Sequence, residues 1–180
     1  MDELVELIVN THKQEKNIVL LKDDPQRDYL FSDPLRKQKQ INLWWRGKYP
    51  GNFELCLAFA YLLQQSKLWP KSKICIKMVA VDPEQKQGLE QQFHKYKPKL
   101  RIKGLTFQAL IDENKTFFST FQTNSKDASL TFLGLRQPSL ETTIEEYKEY
   151  FMQLMKNTEE VANIAYVLCG ENLKFRNIFV

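Results

Sequence analysis

The chain has 180 residues, a length that folds as one domain and is enough to close one sizeable core. Its composition, 43% hydrophobic and 27% charged, is that of an ordinary globular protein, and no run approaches the roughly 20 apolar residues needed to cross a bilayer. Lys and Arg number 26 against 22 Asp and Glu, and a net charge of +4 is too mild a bias to name nucleic acid as a partner.

In chain order, Leu4, Leu7 and Ile8 mark one face of an N-terminal helix that is expected to end near Asn17. Its acidic start, Met1-Asp2-Glu3, is unlike the basic start of a secretory signal, so a cytosolic chain is expected. Asn17 to Leu21, "NIVLL", has the β-branched content and length of a strand. Asp23-Asp24-Pro25 and Asp33-Pro34 then predict an irregular link from Lys22 to Gln40. Ile41 to Trp45, "INLWW", is the next strand. Gly47, Pro50 and Gly51 close it, and Asn52 is placed to cap the following helix. From Phe53 to Leu63 only Glu54 is polar, which predicts a helix buried on more than one side, either sandwiched within the chain or set against another chain.

Lys73 to Val81 is a strand with Ile74, Ile76 and Met78 on one face. Asp82, Pro83 and Gln85 fit the N-cap, N1 and N3 positions of a helix that Pro98 is expected to end. The dense charge run from Lys95 to Arg101 then reads as a solvated connection. Leu105 to Ile111 alternates as a strand, Thr116 to Phe121 is a short helix, and Ser129 to Leu135 is another strand. A Thr142-x-x-Glu145 capping box opens a helix with Ile144, Tyr147, Phe151, Leu154 and Met155 along one stripe, and Ile164 to Gly170 supplies the last strand. The tail after Gly170 carries no clear pattern.

From Ile41 onward the order is βαβαβαβαβ. Right-handed crossovers make this an α/β, doubly wound, mostly parallel five-stranded sheet with helices on both faces, accompanied by the N-terminal helix and an extra edge strand. Adjacent Trp44 and Trp45 point to opposite faces, as suits a central strand covered on both sides.

Little in the chain points to catalysis. Neither G-x-x-x-x-G-K-[ST] nor G-x-G-x-x-G is present, and Gly47 and Gly51 read as a tight turn. His12 and His94 read as packing or surface residues, without the partners a metal site needs, and no G-x-S-x-G elbow occurs. Cys56, Cys75 and Cys169 are odd in number and set in apolar runs, so buried thiols are expected; Cys169, at a strand end, comes nearest to a nucleophile. The carboxylate pairs Asp23-Asp24 and Glu145-Glu146 read as solvated surface. No catalytic residue, metal or cofactor is therefore expected.

One constellation remains. In the common strand order 3-2-1-4-5, with Ile41 to Trp45 as strand 1 and Ser129 to Leu135 as strand 4, a crevice opens between the carboxyl ends of those two strands. Arg46, Gly47 and Asn52 lie on one side of it, with Arg136 and Gln137 on the other. Two guanidinium groups and a helix N-terminus would then face one anion, the competing reading being plain loop structure.

The string from Asn17 to Val81 resembles the C-terminal cytoplasmic domain of the cation-chloride cotransporters and their prokaryotic relatives among the amino-acid permeases. In that family a strand like "IDLWW" precedes a Gly/Asn turn, an apolar helix ending "AYLL", a Trp and a strand like "IRLLTV". Ile41 to Trp45, Gly51-Asn52, Ala60 to Leu63, Trp69 and Ile74 to Val81 are similar. "ASLTFLGLRQP" from Ala128 to Pro138 resembles the family's "ADLVFLGLRxP", and Leu173 to Phe179 its closing segment. Asn42 and Ser129 stand where the family tends to carry Asp, and the family's preceding twelve-helix transport unit is not in the sequence.

The resemblance implies a fold related to the universal stress proteins, a homodimer, and non-enzymatic regulation of transport through contact with a membrane transporter's transmembrane part. The alternative is a stand-alone adenine-nucleotide-binding module of universal-stress-protein type.

Overall fold

The computed structural model describes residues 1–22, 39–112 and 116–170. Among these, apolar runs form strands and amphipathic runs form helices. They are α1 (Asp2–Lys13), β1 (Ile18–Lys22), β2 (Gln40–Trp44), α2 (Pro50–Gln65), β3 (Lys73–Ala80), α3 (Pro83–Leu100), β4 (Leu105–Ile111), α4 (Phe117–Ser125), β5 (Leu130–Gly134), α5 (Ile144–Asn157) and β6 (Ile164–Leu168). One sheet runs β1-β6-β5-β2-β3-β4. Its five strands from β6 to β4 are parallel and follow the expected 3-2-1-4-5 order with β2 as strand 1. The extra edge strand is β1, antiparallel to β6. The architecture is the expected doubly wound α/β fold of universal-stress-protein type.

Period-two alternation splits the core into two layers. Ile41, Leu43, Ile74, Ile76, Phe132 and Val167 face α2 and α3, where Leu57, Ala60 and Trp69 pack on them. Trp44, Leu133, Tyr166 and Leu168 face the other way, against Ile8 of α1, Phe121 of α4, and Tyr147 and Phe151 of α5. Each fully buried aliphatic or phenyl side chain contributes roughly 1.5–3 kcal/mol, so both layers are needed. All five residues of β6 are buried, as befits a strand covered on both faces. At the edge, β1 buries Ile18 but leaves Val19 and Leu21 exposed. The Lys22 ammonium reaches over to the carbonyls of Thr158, Glu159 and Val161 at 2.8–2.9 Å, tying β1 to the chain that leaves α5.

Several local expectations need correction. α1 stops at Lys13, short of Asn17, because Glu15 adopts a left-handed φ of 56°. The amides of Glu15 and Lys16 then bond back to the carbonyls of His12 and Thr11, a Schellman turn that closes the helix. α3 runs through Pro98 to Leu100. A proline in the last turn forfeits only one hydrogen bond, so the break comes at Arg101, whose φ is 52°. Much of the Lys95–Arg101 charge run is thus helix, not connection. The capping box lies one residue later than expected: Thr143 Oγ1 accepts from the Glu146 amide at 3.2 Å, and Glu146 Oε2 accepts from the Thr143 amide at 2.9 Å. At α3 the expected cap is present, with the Gln85 amide donating to Asp82 Oδ1 at 2.7 Å.

α2 differs as well. It starts at Pro50 with Tyr49 as N-cap, so Asn52 lies inside the first turn and caps nothing. Its sheet-facing side is fully buried, but Leu62 is 56% exposed, so no second layer of the described residues covers the outer side.

The expected link from Lys22 to Gln40 falls on residues 23–38, including Asp23 and Asp24, outside the described residues. The tail from Glu171 to Val180 lies outside them too. One feature went unforeseen: Lys77, midway along β3, is only 8% exposed. Its Nζ donates to the Asn124 carbonyl at 2.5 Å, and burial lowers its pKa.

Candidate functional site

β2 and β5 are neighbours, and the helices that follow them leave to opposite faces of the sheet. Their carboxyl ends therefore part, which is where doubly wound sheets open a crevice. A cavity of about 240 Å³ lies there, lined by Trp45, Arg46, Lys48, Tyr49, Asn52 and Arg136, among others. It continues outward into an open groove of about 1050 Å³ along α5.

The two arginines reach this place by different routes. The Trp45 amide extends the β2 ladder by donating to the Lys77 carbonyl at 2.9 Å, after which the chain turns away. Trp45 stacks on Phe53 of α2 at 4.7 Å between ring centroids. Arg46 is exposed, and its guanidinium rests over the Phe117 ring at 4.6 Å, a cation–π contact that orients it without removing its charge. On the other side the backbone of Arg136 is held by two tyrosines of α5: its amide donates to Tyr150 Oη and its carbonyl accepts from Tyr147 Oη, both at 2.8 Å. The Arg136 guanidinium lies over the Tyr150 ring at 4.6 Å. Burial pushes the Tyr150 phenol above its ordinary pKa, and the nearby charges of Arg46 and Arg136 partly oppose that shift.

Asn52 has a different role from the one its position suggested. Only 3% exposed, it donates from Nδ2 to the Leu135 carbonyl and accepts at Oδ1 from the Cys169 amide, both at 2.7 Å. One amide thus joins α2 to the ends of β5 and β6. Gly134 makes room for it: a Cβ there would sit 3.1 Å from Asn52 Cβ.

Of the five expected residues, Arg46 and Arg136 line both the inner cavity and the outer groove. Asn52 lines the inner cavity too, with its polar atoms bonded inside the protein. Gly47 is the left-handed residue of the turn, at φ +77°, and does not line the cavity. Gln137 lines the outer groove instead and reaches toward the Cys169 carbonyl at 3.5 Å.

The sequence reading missed Lys48, Tyr49 and Tyr150, and assigned Trp45 to the core. The Tyr147-x-x-Tyr150 spacing on one helix face was the available signal.

The lining decides the electrostatics. The inner cavity brings Arg46, Lys48 and Arg136 together with no carboxylate, whereas the outer groove adds Glu141, Glu146 and Glu149. An anion is favoured in the former and opposed in the latter. Cys56 lines the inner cavity, and burial drives its thiol far above the usual range. Cys75 and Cys169 are buried as well. Among the described residues no group of three His, Cys, Asp or Glu is placed to hold a metal, and no helix is long and apolar enough to cross a membrane.

No family model and no curated protein matches the sequence. Among solved structures, the chain is similar to the cytoplasmic domain of a prokaryotic cation chloride cotransporter, with 22% identity and a TM-score of 0.63. The match covers 95% of this chain and 60% of that one, so the chain spans about three-fifths of its neighbour's length. At that identity the likeness is one of fold.

Asn52→Leu, which keeps the γ-branched shape, adds some bulk and removes both hydrogen bonds, should leave the Leu135 carbonyl and the Cys169 amide buried and unpaired. At about 1–3 kcal/mol for each stranded group, a loss of roughly 2–5 kcal/mol in urea unfolding is expected. A loss under about 0.5 kcal/mol, the range of an ordinary surface change, would show that the amide bridge is incidental.

Proposed function

We propose that this chain is a non-enzymatic regulatory or interaction domain that modulates a membrane transporter through protein contacts and self-association at the inner face of the membrane. The observation that carries the reading is the shared fold, which extends over nearly the whole chain, with the cytoplasmic domain of a cation chloride cotransporter.

Self-association is supported by α2. Leu62 is exposed on its outer side, with half-buried Phe59 and Leu63 close by on the helix, an apolar strip that a second copy would cover. Light scattering should give a dimer for the native chain and a monomer for Leu62→Lys, whose unfolding midpoint should move little because the site is exposed. A strict monomer for the native chain at high concentration would contradict self-association.

A second reading, an adenine-nucleotide-binding module, is favoured by the carboxylate-free lining of the inner cavity, where three cations stand beside the stacked Trp45 and Phe53. Calorimetry should detect ATP, phosphate or sulfate binding to the native chain. Arg46→Ala with Arg136→Ala should weaken it by more than tenfold, since hydrogen bonds to charged groups contribute about 1.5–3 kcal/mol. Equal binding by the double variant would remove the crevice as an anion site.

A further inference from the structure

The opposite end of the sheet carries a charge pattern that the crevice does not use. Leu55 to Val81 and Gln91 to Ile111 contain nine basic residues and not one Asp or Glu, leaving 17 basic against 22 acidic residues for the rest of the chain. All nine except Lys77 are exposed. The mild net charge of +4 thus conceals a strongly cationic region on an otherwise anionic molecule.

The fold gathers the exposed members Lys67, Lys71, Lys73, Lys99, Arg101 and Lys103 toward the amino ends of β3 and β4. Lys73 begins β3 opposite Gln40, and its amide donates to the Lys39 carbonyl at 2.9 Å. Gln64, near the end of α2, donates from Nε2 to the carbonyls of both Ser72 and Lys103, at 2.6 and 2.9 Å. That one side chain holds the end of α2, the start of β3 and the approach to β4 side by side, and brings Lys67, Lys71, Lys73 and Lys103 into one rim. Lys99 and Arg101 join it where α3 ends. Neighbouring strands lie about 4.8 Å apart, so the three strand starts fall within about 10 Å, the Debye length at ~0.1 M salt, and act as one surface. The attraction of cations to a helix C-terminus accounts for Lys97 and Lys99 in the last turn of α3. It does not account for Lys71, Lys73 or Lys103, which lie before or at the start of strands.

We propose that this rim docks on the surface of an anionic lipid bilayer. Two features choose a bilayer over nucleic acid or an acidic protein. The rim is built almost wholly from lysine, a point charge that suits a diffuse sheet of headgroups; base and phosphate readers favour the arginine fork. Two large side chains also stand exposed among the cations, Leu68 at 60% and Tyr96 at 54%, with the Lys99 ammonium 5.4 Å from the Tyr96 ring. Leu68 lies between exposed Lys67 and buried Trp69, and Lys39 Nζ lies 4.5 Å above the Trp69 ring, which fixes the base of that loop. An apolar tip ringed by lysines can enter the headgroup layer while the cations remain at its surface. The crevice with Arg46 and Arg136 lies at the other end of the strands, so this surface stands or falls independently of the nucleotide-binding reading of the crevice.

Vesicle co-sedimentation tests it, with the whole chain and vesicles of phosphatidylcholine alone or with about 30 mol% phosphatidylserine. Binding to the anionic vesicles only, weakening steeply between about 50 and 200 mM salt, is expected. Replacing Lys67, Lys71 and Lys103 together by Gln should weaken binding on the order of a hundredfold with an unchanged circular dichroism spectrum. Leu68→Ala should weaken it several-fold and serves as the second variant should the triple one misfold. Equal binding to neutral vesicles, no binding to anionic vesicles at low salt, native-like binding by both variants, or preference for a DNA duplex or polyglutamate over the vesicles would each overturn the proposal.

Discussion

A buried amide with both of its polar atoms engaged holds the carboxyl end of this sheet together. Asn52 bonds the end of β5 through the Leu135 carbonyl and the end of β6 through the Cys169 amide, from within the first turn of α2. No Asp in that place could both donate and accept in its ionised form, and no apolar residue could do either. Gly134 leaves room beneath it, since a Cβ there would sit 3.1 Å from the Asn52 stem. With α2 anchored in this way, the loop from Trp45 to Tyr49 is pinned at both ends. The loop after β5 is pinned by Tyr147 and Tyr150. The two arginines are brought together by these anchors, not by any attraction to one another.

Much of the fold could be read from residue patterns because the strands are buried on both faces. "INLWW", "KICIKMVA" and "IAYVLCG" are too apolar and too short to be anything but central strands, and their spacing by helices leaves a parallel sheet as the natural solution. The order expected for the five parallel strands is that of the common doubly wound arrangement, and it is the order found. Local features were read less well. Pro98 looked like a stop, but in a final turn it costs little. Thr142 and Thr143 both precede a Glu by three residues, so the pattern alone could not choose between two capping boxes, and the side chains select the second.

The site was legible in its cations and not in its supports. Arg46 and Arg136 follow directly from strand order, since each comes just after a strand that ends at the switch point. Asn52 had the residue type and position of a helix cap, and only the three-dimensional approach of β5 and β6 shows that its partners are elsewhere. Gly47 and Gln137 were drawn in by proximity in sequence, yet the turn carries one away and the outer groove holds the other. Lys77 was invisible as a special residue, because a lysine in an alternating strand reads as solvent-facing until a helix such as α4 covers it.

The two ends of the strands thus differ in character, a small cationic and aromatic cavity at one and a broad lysine rim at the other. Both depend on the strand ends staying in register, and at the carboxyl end Asn52 ties the ends of β5 and β6 to α2. Amide hydrogen exchange at Cys169, followed by NMR in the native chain, is the most direct measurement of this dependence. The Asn52 bridge predicts that this amide, which lies beyond the last residue of β6, exchanges as slowly as the amides within β5 and β6. Exchange at the rate of an exposed loop amide would contradict it.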